Sequence, residues 1–382
     1  MPNSGKYPWQ WLWDSAFHAI IWSGLGDPRA VKELETLFAL ELPSGFIPHM
    51  GYQTDPSGSL RQWHVPGRSD ITQPPMYGHA LRVLHDRGFK VDHLYEPATR
   101  GLNYLFEHRR DPVSGLIRVV HPWETGTDDS PRWDGALDVP FSKPAWDVKK
   151  AELTHSLQLS DGVAVGNPGF DVGSAGFSAL VAFNARELAT LTGDGALMAK
   201  ANALADAIDA QWIDDKKTWG DVVIAGPKSS ATVRTLDALL PVLVSGNQAH
   251  VDAAFAEVFN PASFARPFGP SSTAADEPSY EPDNYWRGNG WPPLTYLLSV
   301  AADRRGRTRD AARLARALVR DAEISGFGEY NNPENGTNRG ATPQGWTMLA
   351  LEGAMALRPL HRLRQSVIRH MPHRGPATGG LV

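Results

Sequence analysis

Cysteine is absent from this chain of 382 residues. Its absence excludes a disulfide framework, a thiolate metal site and a cysteine nucleophile. The chain also lacks an excess of basic residues, since its formal net charge is -5, and we therefore expect no nucleic-acid partner. No run of about 18 apolar residues is present, which excludes an ordinary transmembrane helix, and the first residues carry no readable secretory signal. These absences predict a soluble, cytoplasmic protein with no membrane partner, and they leave its oligomeric state open.

Tryptophan is abundant, with thirteen residues in the chain. Several of them stand beside acids, glutamines or glycines rather than inside aliphatic runs. Any single tryptophan is more simply explained by core packing, because the indole ring buries a large area. As a set, however, these flat rings beside carboxylates and amides are typical of a surface that binds the apolar faces and the hydroxyls of a sugar.

Two segments that contain carboxylates lie about two hundred residues apart and have the sequences ETGTDDSPRW (124–133) and GFGEYNNP (326–333). Hydrolysis of a glycosidic bond with inversion needs one carboxylic acid that protonates the leaving oxygen and one carboxylate that activates water. On local grounds Asp128 and Asp129 are equivalent candidates for the acid, because both are flanked by small residues. Taken alone, Asp128 is better explained as a helix cap and Glu329 as a surface acid, and it is their occurrence together with the other motifs that favours catalysis.

Helical periodicity recurs along the whole chain and is interrupted by loops rich in glycine, proline and aspartate. Strand signals are weak and cover only 116–121 and 218–224. The spacing predicts an all-α fold, an (α/α) toroid of helical hairpins whose long loops gather at one end, in a domain over residues 1–357. An α-solenoid of repeats and a pair of helical bundles are the alternatives, and the absence of a fixed-period repeat counts against the solenoid. We expect a flexible basic tail over 358–382. The predicted helices cover 11–24, 29–41, 72–87, 94–108, 170–192, 197–212, 231–244, 248–259, 291–302, 308–324 and 343–357.

Five motifs together resemble the mannosylglycerate and glucosylglycerate hydrolases of glycoside hydrolase family 63. They occur in the order found in that family and span residues 7 to 346. Their sequences are YPWQWLWDS (7–15), SDITQPP (69–75), the 124–133 segment, NYWRGNGW (284–291), and EYNNP (329–333) with QGW (344–346). The resemblance implies an (α/α)6 barrel, an inverting mechanism without cofactor or metal, Asp128 as general acid and Glu329 as general base.

The same resemblance implies roles in substrate binding. Residues that hold the sugar ring, form an aromatic wall or contact the leaving group are Tyr7, Trp11, Asp14, Gln73, Tyr285, Trp286, Trp291 and Gln344. Arg287 lies beside this wall, and structural pairing is its favoured use. Only six residues precede Tyr7, which predicts a barrel that can lack its first helix. Segment 134–170 differs from its counterpart in the family, and its lysines match no known role there.

The primary hypothesis is an inverting α-glycosidase acting on a small glucoside or mannoside, such as glucosylglycerate or mannosylglycerate. One alternative is a trehalase-like or oligosaccharide α-glucosidase, which would need further aromatic platforms for its second sugar. Another is a sugar epimerase that uses two histidines as acid and base. A third, from a different class, is a carbohydrate-binding protein on the same barrel without catalysis.

Overall fold

The computed structural model describes residues 1–137, 139–226 and 232–358. Within these ranges the chain is mainly helical. Two 3-10 segments, Asp237–Leu243 and Gly345–Leu349, complete the main helical layers. The α-helices are α1 (Leu12–Gly24), α2 (Arg29–Phe38), α3 (Tyr77–Asp86), α4 (Tyr95–His108), α5 (Asp134–Leu137), α6 (Lys143–His155), α7 (Ala175–Thr192), α8 (Gly195–Asp209), α9 (Gln248–Val258), α10 (Pro292–Arg304), α11 (Thr308–Ser325) and α12 (Ala350–Leu357).

The strands are short and pair locally. The sheet with the most strands among the described residues has three, which pair antiparallel in the order β3 (Arg118–Val119), β6 (Asp171–Gly173) and β9 (Val222–Ala225). It includes both regions where we predicted weak strands. The strands are β1 (Gln10–Trp11), β2 (Met50–Gly51), β3 (Arg118–Val119), β4 (Gln158–Ser160), β5 (Val163–Gly166), β6 (Asp171–Gly173), β7 (Trp212–Ile213), β8 (Thr218–Trp219), β9 (Val222–Ala225), β10 (Ala265–Arg266), β11 (Gly269–Pro270), β12 (Tyr330–Asn331) and β13 (Asn338–Arg339).

Six helical segments form a closed inner ring. In ring order they are α1, α3, α7, Asp237–Leu243, α10 and the Gly345–Leu349 segment that continues into α12, and the last of these packs against α1. Helix α7 is buried along most of its length, as expected for a helix that is surrounded by others. Helices α2, α4, α8, α9 and α11 pack outside this ring. The arrangement is the predicted (α/α)6 toroid.

The segment before α1 contains no helix in the described part of the chain. It forms a β-bridge between Asn3 and Tyr7 and then strand β1, which pairs with β2. The outer layer therefore has five helices against six inner segments among the described residues. The predicted tail, 358–382, lies outside the described residues except for Arg358. The described helices include none that is both long and apolar enough to cross a membrane.

Several predicted helices have different bounds in the structure. The helix predicted over 170–192 begins only at Ala175, because strand β6 occupies the residues before it. The helix predicted over 72–87 begins only at Tyr77, because Pro74 and Pro75 restrict the preceding backbone to extended conformations. The helix predicted over 231–244 is the 3-10 segment Asp237–Leu243, which has Pro241 inside it. The helix predicted over 343–357 begins with the 3-10 turn Gly345–Leu349.

Helix α6 is the longest helix that the prediction missed. Its buried residues are Trp146, Lys150, Leu153 and Thr154, a stripe of helical spacing that contains only two apolar side chains. A capping signal was nevertheless present, because Ser142 accepts a hydrogen bond from the backbone N–H of Ala145 and proline follows it in the first turn.

The carboxylate of Glu124 joins three separate segments in the interior. Both of its oxygens accept hydrogen bonds from the Arg109 guanidinium, at 2.9 and 3.0 Å. They also accept the backbone N–H groups of Thr72 at 3.1 Å and Val120 at 2.7 Å. Neither charged side chain of the pair is exposed to solvent. The loop before α3, the end of α4 and the turn that begins at Glu124 are therefore fixed to one another.

We expect Arg109→Met to lower the free energy of unfolding by about 3–5 kcal/mol, since it leaves the Glu124 charge buried without its counterion. Chemical denaturation measures this change. Arg82→Met is the matched control, because Arg82 pairs with Asp86 at the surface and such pairs contribute less than about 1 kcal/mol. Equal losses in the two variants would contradict a special role for the buried pair.

Candidate active site

The segments that lead into four inner elements converge on one cavity. Tyr7 and Trp11 precede α1, Gln73 precedes α3, Trp286 precedes α10, and Gln344 precedes the Gly345–Leu349 turn. Because inner helices alternate with outer ones, every inner helix runs in the same direction and the segments before them meet at one end of the ring. Loops held by a rigid scaffold are a common place for functional residues.

The cavity has a volume of about 170 Å³, below the roughly 300–1,000 Å³ that is usual for pockets that hold drug-sized ligands. A small solute therefore suits it better than a polymer. Its lining consists of Pro2, Tyr7, Trp11, Trp13, Asp14, His49, Met50, Gln62, Trp63, Gln73, Trp123, Gly126, Asp128, Tyr285, Trp286, Glu329, Gln344 and Trp346.

Glu329 is buried and held by donors on both of its oxygens. Oε1 accepts a hydrogen bond from the Tyr7 hydroxyl at 2.8 Å. Oε2 accepts the backbone N–H of Ala341 at 2.8 Å and the Lys6 ammonium at 3.2 Å. Gly340 lets the neighbouring backbone come this close: its φ is +74°, and a Cβ there would collide with Oε2. These donors fix the orientation of the carboxylate.

Asp128 faces the same cavity from the turn after Glu124. Burial is the main cause that raises the pKa of its carboxyl to about 7. The charges of Asp129 and Glu329 raise this pKa further, whereas Lys150 and Lys143 lower it. Asp128 therefore holds its proton near neutral pH, which a general acid must do.

Asp129 is placed differently, although its local sequence is the same. It is completely buried, does not line the cavity, and forms ion pairs with Lys150 and, at 3.2 Å, with Lys143. Both lysines belong to α6, the helix that the sequence did not reveal. The structure thus separates the two acids that were equivalent in sequence: Asp128 faces the cavity and Asp129 is turned into the protein.

Four buried polar atoms on lining side chains have no hydrogen-bond partner within the described residues. They are Trp11 Nε1, Asp14 Oδ1, Gln73 Oε1 and Gln344 Oε1. Buried polar groups are nearly always paired in folded proteins, so a cluster of exceptions at a cavity indicates groups that bind a ligand. Three acceptors and one donor suit a molecule rich in hydroxyl groups.

Asp14 carries the largest electrostatic cost in this group. Burial, and then the nearby charge of Glu329, raise the pKa of its carboxyl to about 8. No cationic side chain pairs with Asp14 in the described part of the chain.

The predicted aromatic wall is only partly at the cavity surface. Tyr285 and Trp286 line it, but Trp291 does not. Trp291 is 1% exposed and stacks on Trp286, with ring centroids 3.6 Å apart and planes 3° from parallel. The predicted sugar contact of Trp291 is therefore corrected to a supporting position behind Trp286. Arg287 also lies away from the cavity, in a paired hydrogen bond with Asp134 at 2.7 Å.

Several lining residues were not predicted as site residues. Trp13 and Trp346 lie inside the matched motifs, and Trp63 and Trp123 belong to the tryptophan set noted in the sequence, so a signal for them existed. His49 was named in the sequence only as one of five scattered histidines that could serve the epimerase alternative, and burial lowers its pKa to about 3. His49 is the one histidine among the lining residues named above, so the described part of the chain places no histidine pair there for an epimerase. The described residues contain no group of three or more metal-ligating side chains arranged to hold an ion.

We expect Asp14→Asn to raise the melting temperature by several degrees at pH 8, and by much less at pH 5. Between about pH 4, where the unfolded carboxyl titrates, and pH 8, the folded state holds a proton that the unfolded chain releases, so wild-type stability falls as pH rises. Asparagine removes this loss, which calorimetric scans at both pH values measure.

Asp27→Asn is the matched control for this effect. The hydrogen bond from Arg29 lowers the pKa of Asp27 to about 2, so Asp27 is ionised in both states throughout the range. Its substitution should shift the melting temperature equally at pH 5 and pH 8. The raised pKa of Asp14 would be contradicted if the melting temperature of Asp14→Asn exceeded that of the wild type by the same amount at pH 5 and pH 8.

Comparisons with known proteins match this geometry. The profile of the mannosylglycerate hydrolase MGH1-like glycoside hydrolase domain matches residues 7–347. The chain is 28% identical to a mannosylglycerate hydrolase of Thermus thermophilus, covering 91% of this chain and 94% of that one. It is 27% identical to the glucosylglycerate hydrolase of Mycolicibacterium hassiacum, covering 90% and 91%.

The solved structures agree. A family 63 mannosylglycerate hydrolase of Thermus thermophilus, crystallised in complex with Tris and D-glycerate, superimposes with a TM-score of 0.79 at 25% identity, over 92% of this chain and 94% of that one. Since the profile spans nearly the whole described barrel and includes every lining residue of the cavity except Pro2, the chain belongs to the mannosylglycerate hydrolase MGH1-like glycoside hydrolases.

Proposed function

We propose that this glycoside hydrolase cleaves a small α-glucoside or α-mannoside, glucosylglycerate or mannosylglycerate, with inversion at the anomeric carbon. The observation that carries the proposal is the pairing of two carboxyl groups with opposite environments in one small cavity. Asp128 is desolvated and protonated near neutrality, and Glu329 is surrounded by donors. Relatives named for these two substrates cover nine-tenths or more of the chain, which supports the substrate class.

In this mechanism Asp128 donates its proton to the glycosidic oxygen as the bond to the leaving group breaks. Glu329 removes a proton from a water molecule, and the oxygen of that water forms the new bond to the anomeric carbon on the opposite face. The products are the sugar as its β-anomer and the free hydroxyl of the leaving group. Each carboxyl exchanges its protonation state once and is then reset by solvent.

The other lining groups bind and orient. Tyr7 keeps its proton, because burial and the charge of Glu329 raise the pKa of its hydroxyl, and so it remains a donor to the base. Asp14 and Gln73 present unpaired acceptor oxygens for sugar hydroxyls, and Gln344 is proposed to contact the leaving group. The face of Trp286, with Trp291 stacked behind it, offers a rigid apolar surface to the ring. The cytoplasmic location remains a prediction from composition.

Proton NMR of the anomeric region tests the proposal directly. The purified protein is mixed separately with glucosylglycerate, mannosylglycerate and trehalose and followed from the first minutes. We expect the β-anomer to appear first from one of the two glycerates. Early α-anomer would contradict inversion, cleavage of trehalose alone would favour the trehalase-like alternative, and no cleavage of any compound would favour a binding protein.

Variants of the two carboxyl groups complete this test. Asp128→Asn and Glu329→Gln should each lower kcat by at least about a thousandfold, since they remove the proton donor or the base. Titration calorimetry should show that substrate still binds. Full activity in Asp128→Asn would overturn its role as the acid.

We expect Trp286→Ala to weaken substrate binding by about 1–3 kcal/mol through lost apolar contact. The measurement is calorimetry in the Asp128→Asn background, so that substrate is not consumed. Trp212→Ala is the control, because Trp212 stacks on His250 away from the cavity. Unchanged affinity in Trp286→Ala would reduce Trp286 to a packing residue.

A further inference from the structure

We propose that Asp129 and Lys150 act as a positioning pair, which fixes the turn bearing Asp128 and sets the pH range in which Asp128 can donate its proton. The inference rests on the proposed acid role of Asp128. It assigns a function to α6, which none of the motifs covers.

The pair is buried deeply enough to anchor the turn. Asp129 is completely buried and the Lys150 side chain is only 2% exposed. Taking two charges out of water is costly and is tolerated only where they are closely paired. Lys143 adds a second, half-exposed cation at 3.2 Å from the other oxygen of Asp129.

The backbone of the turn is fixed on both sides of this anchor. The N–H of Ser130 and the indole N–H of Trp133 both donate to the carbonyl of Thr127, at 3.1 and 3.0 Å. Because Asp128 and Asp129 are adjacent, burying Asp129 against α6 directs the Asp128 side chain toward the cavity. The charge pair thus decides which of two identical carboxyl groups meets the substrate.

The pair also balances the charge next to Asp128. Lys150 stabilises the ionised form of the Asp128 carboxyl and Asp129 destabilises it, so the two effects oppose each other. The other charged or titratable groups that face Asp128 come from three further elements and from α6. They are Lys143 of α6, Glu329 of the β12–β13 hairpin, Tyr7 of the first segment and Tyr285 of the segment before α10.

This balance gives the two single variants opposite signatures. Lys150→Met removes a cation, so the alkaline limb of the kcat/KM profile should move to higher pH. Asp129→Asn removes an anion and leaves the lysines, so the same limb should move to lower pH. Each shift should be roughly half to one pH unit, the scale expected for a nearby buried charge. In the double variant the limb should return close to its wild-type position.

A merely structural role for the pair would lower stability and activity in both single variants without moving the limb in opposite directions, and that result would overturn the proposal. Lys149→Met is the matched control, because Lys149 lies on the same helix but pairs with the exposed Glu152 at 3.7 Å. The alkaline limb of the kcat/KM profile of Lys149→Met should stay at the wild-type position. Melting temperatures recorded for all variants identify any that fail to fold.

Carbon-13 NMR of protein labelled at the aspartate carboxyl groups measures the pKa of Asp128 without turnover. The Asp128 signal is assigned by its loss in Asp128→Asn. Opposite shifts of the Asp128 pKa in folded single variants support the pair even if no glycoside is hydrolysed, in which case only the proposed function fails. Turnover of a glycerate substrate together with an unmoved Asp128 pKa in both variants overturns the pair and leaves the proposed function standing.

Discussion

The active end of the barrel depends on one buried carboxylate, that of Glu124. It accepts four hydrogen bonds, two from Arg109 and one each from the backbone of Thr72 and Val120. These donors come from the end of α4, the approach to α3 and the strand region after β3. The segments that carry Gln73 and Asp128 are therefore held relative to each other by a charge that has no access to water. Glu124 thus serves structure, and the proposed chemistry belongs to the acid four residues later.

The cavity whose segments Glu124 holds together contains carboxyl groups with different surroundings. Asp128 and Asp14 are desolvated and have no bonded cation in the part of the chain that the structure describes, and burial raises their pKa values to about 7 and about 8. Glu329 lies in the same cavity but receives hydrogen bonds on both oxygens. Two neighbouring acids with contrasting surroundings are what acid–base catalysis of glycoside cleavage requires. The contrast arises from the N–H and O–H donors that surround Glu329. It also depends on Lys150 and Lys143, which pair with Asp129.

Two features of the cavity lining lower the stability of the free protein. Four of its buried polar atoms lack partners among the described residues, and Tyr285 holds a φ of +35°, a region that a tyrosine rarely adopts. Such features persist only where the surrounding packing imposes them. Here the stacked rings of Trp286 and Trp291 and the fixed inner helices provide that packing. A hydroxyl-rich ligand that pairs with these atoms recovers part of the cost on binding, which favours affinity for substrate over stability of the free protein.

The sequence by itself determined the helical fold, since periodicity and stop signals depend on residues close in the chain, and it determined the motif order that identifies the family. It also supplied half of the lining residues, such as Tyr7, Asp14 and Gln73. The motif resemblance favoured Asp128 over Asp129, but only the tertiary structure showed that Asp128 faces the cavity while Asp129 pairs with lysines of α6. Only the tertiary structure placed Trp291 behind Trp286. It alone revealed α6, whose buried face includes a lysine rather than a continuous apolar stripe. The physical reason is common to all three: orientation, burial and ion pairing are set by partners distant in sequence, about which identical local residues carry no information.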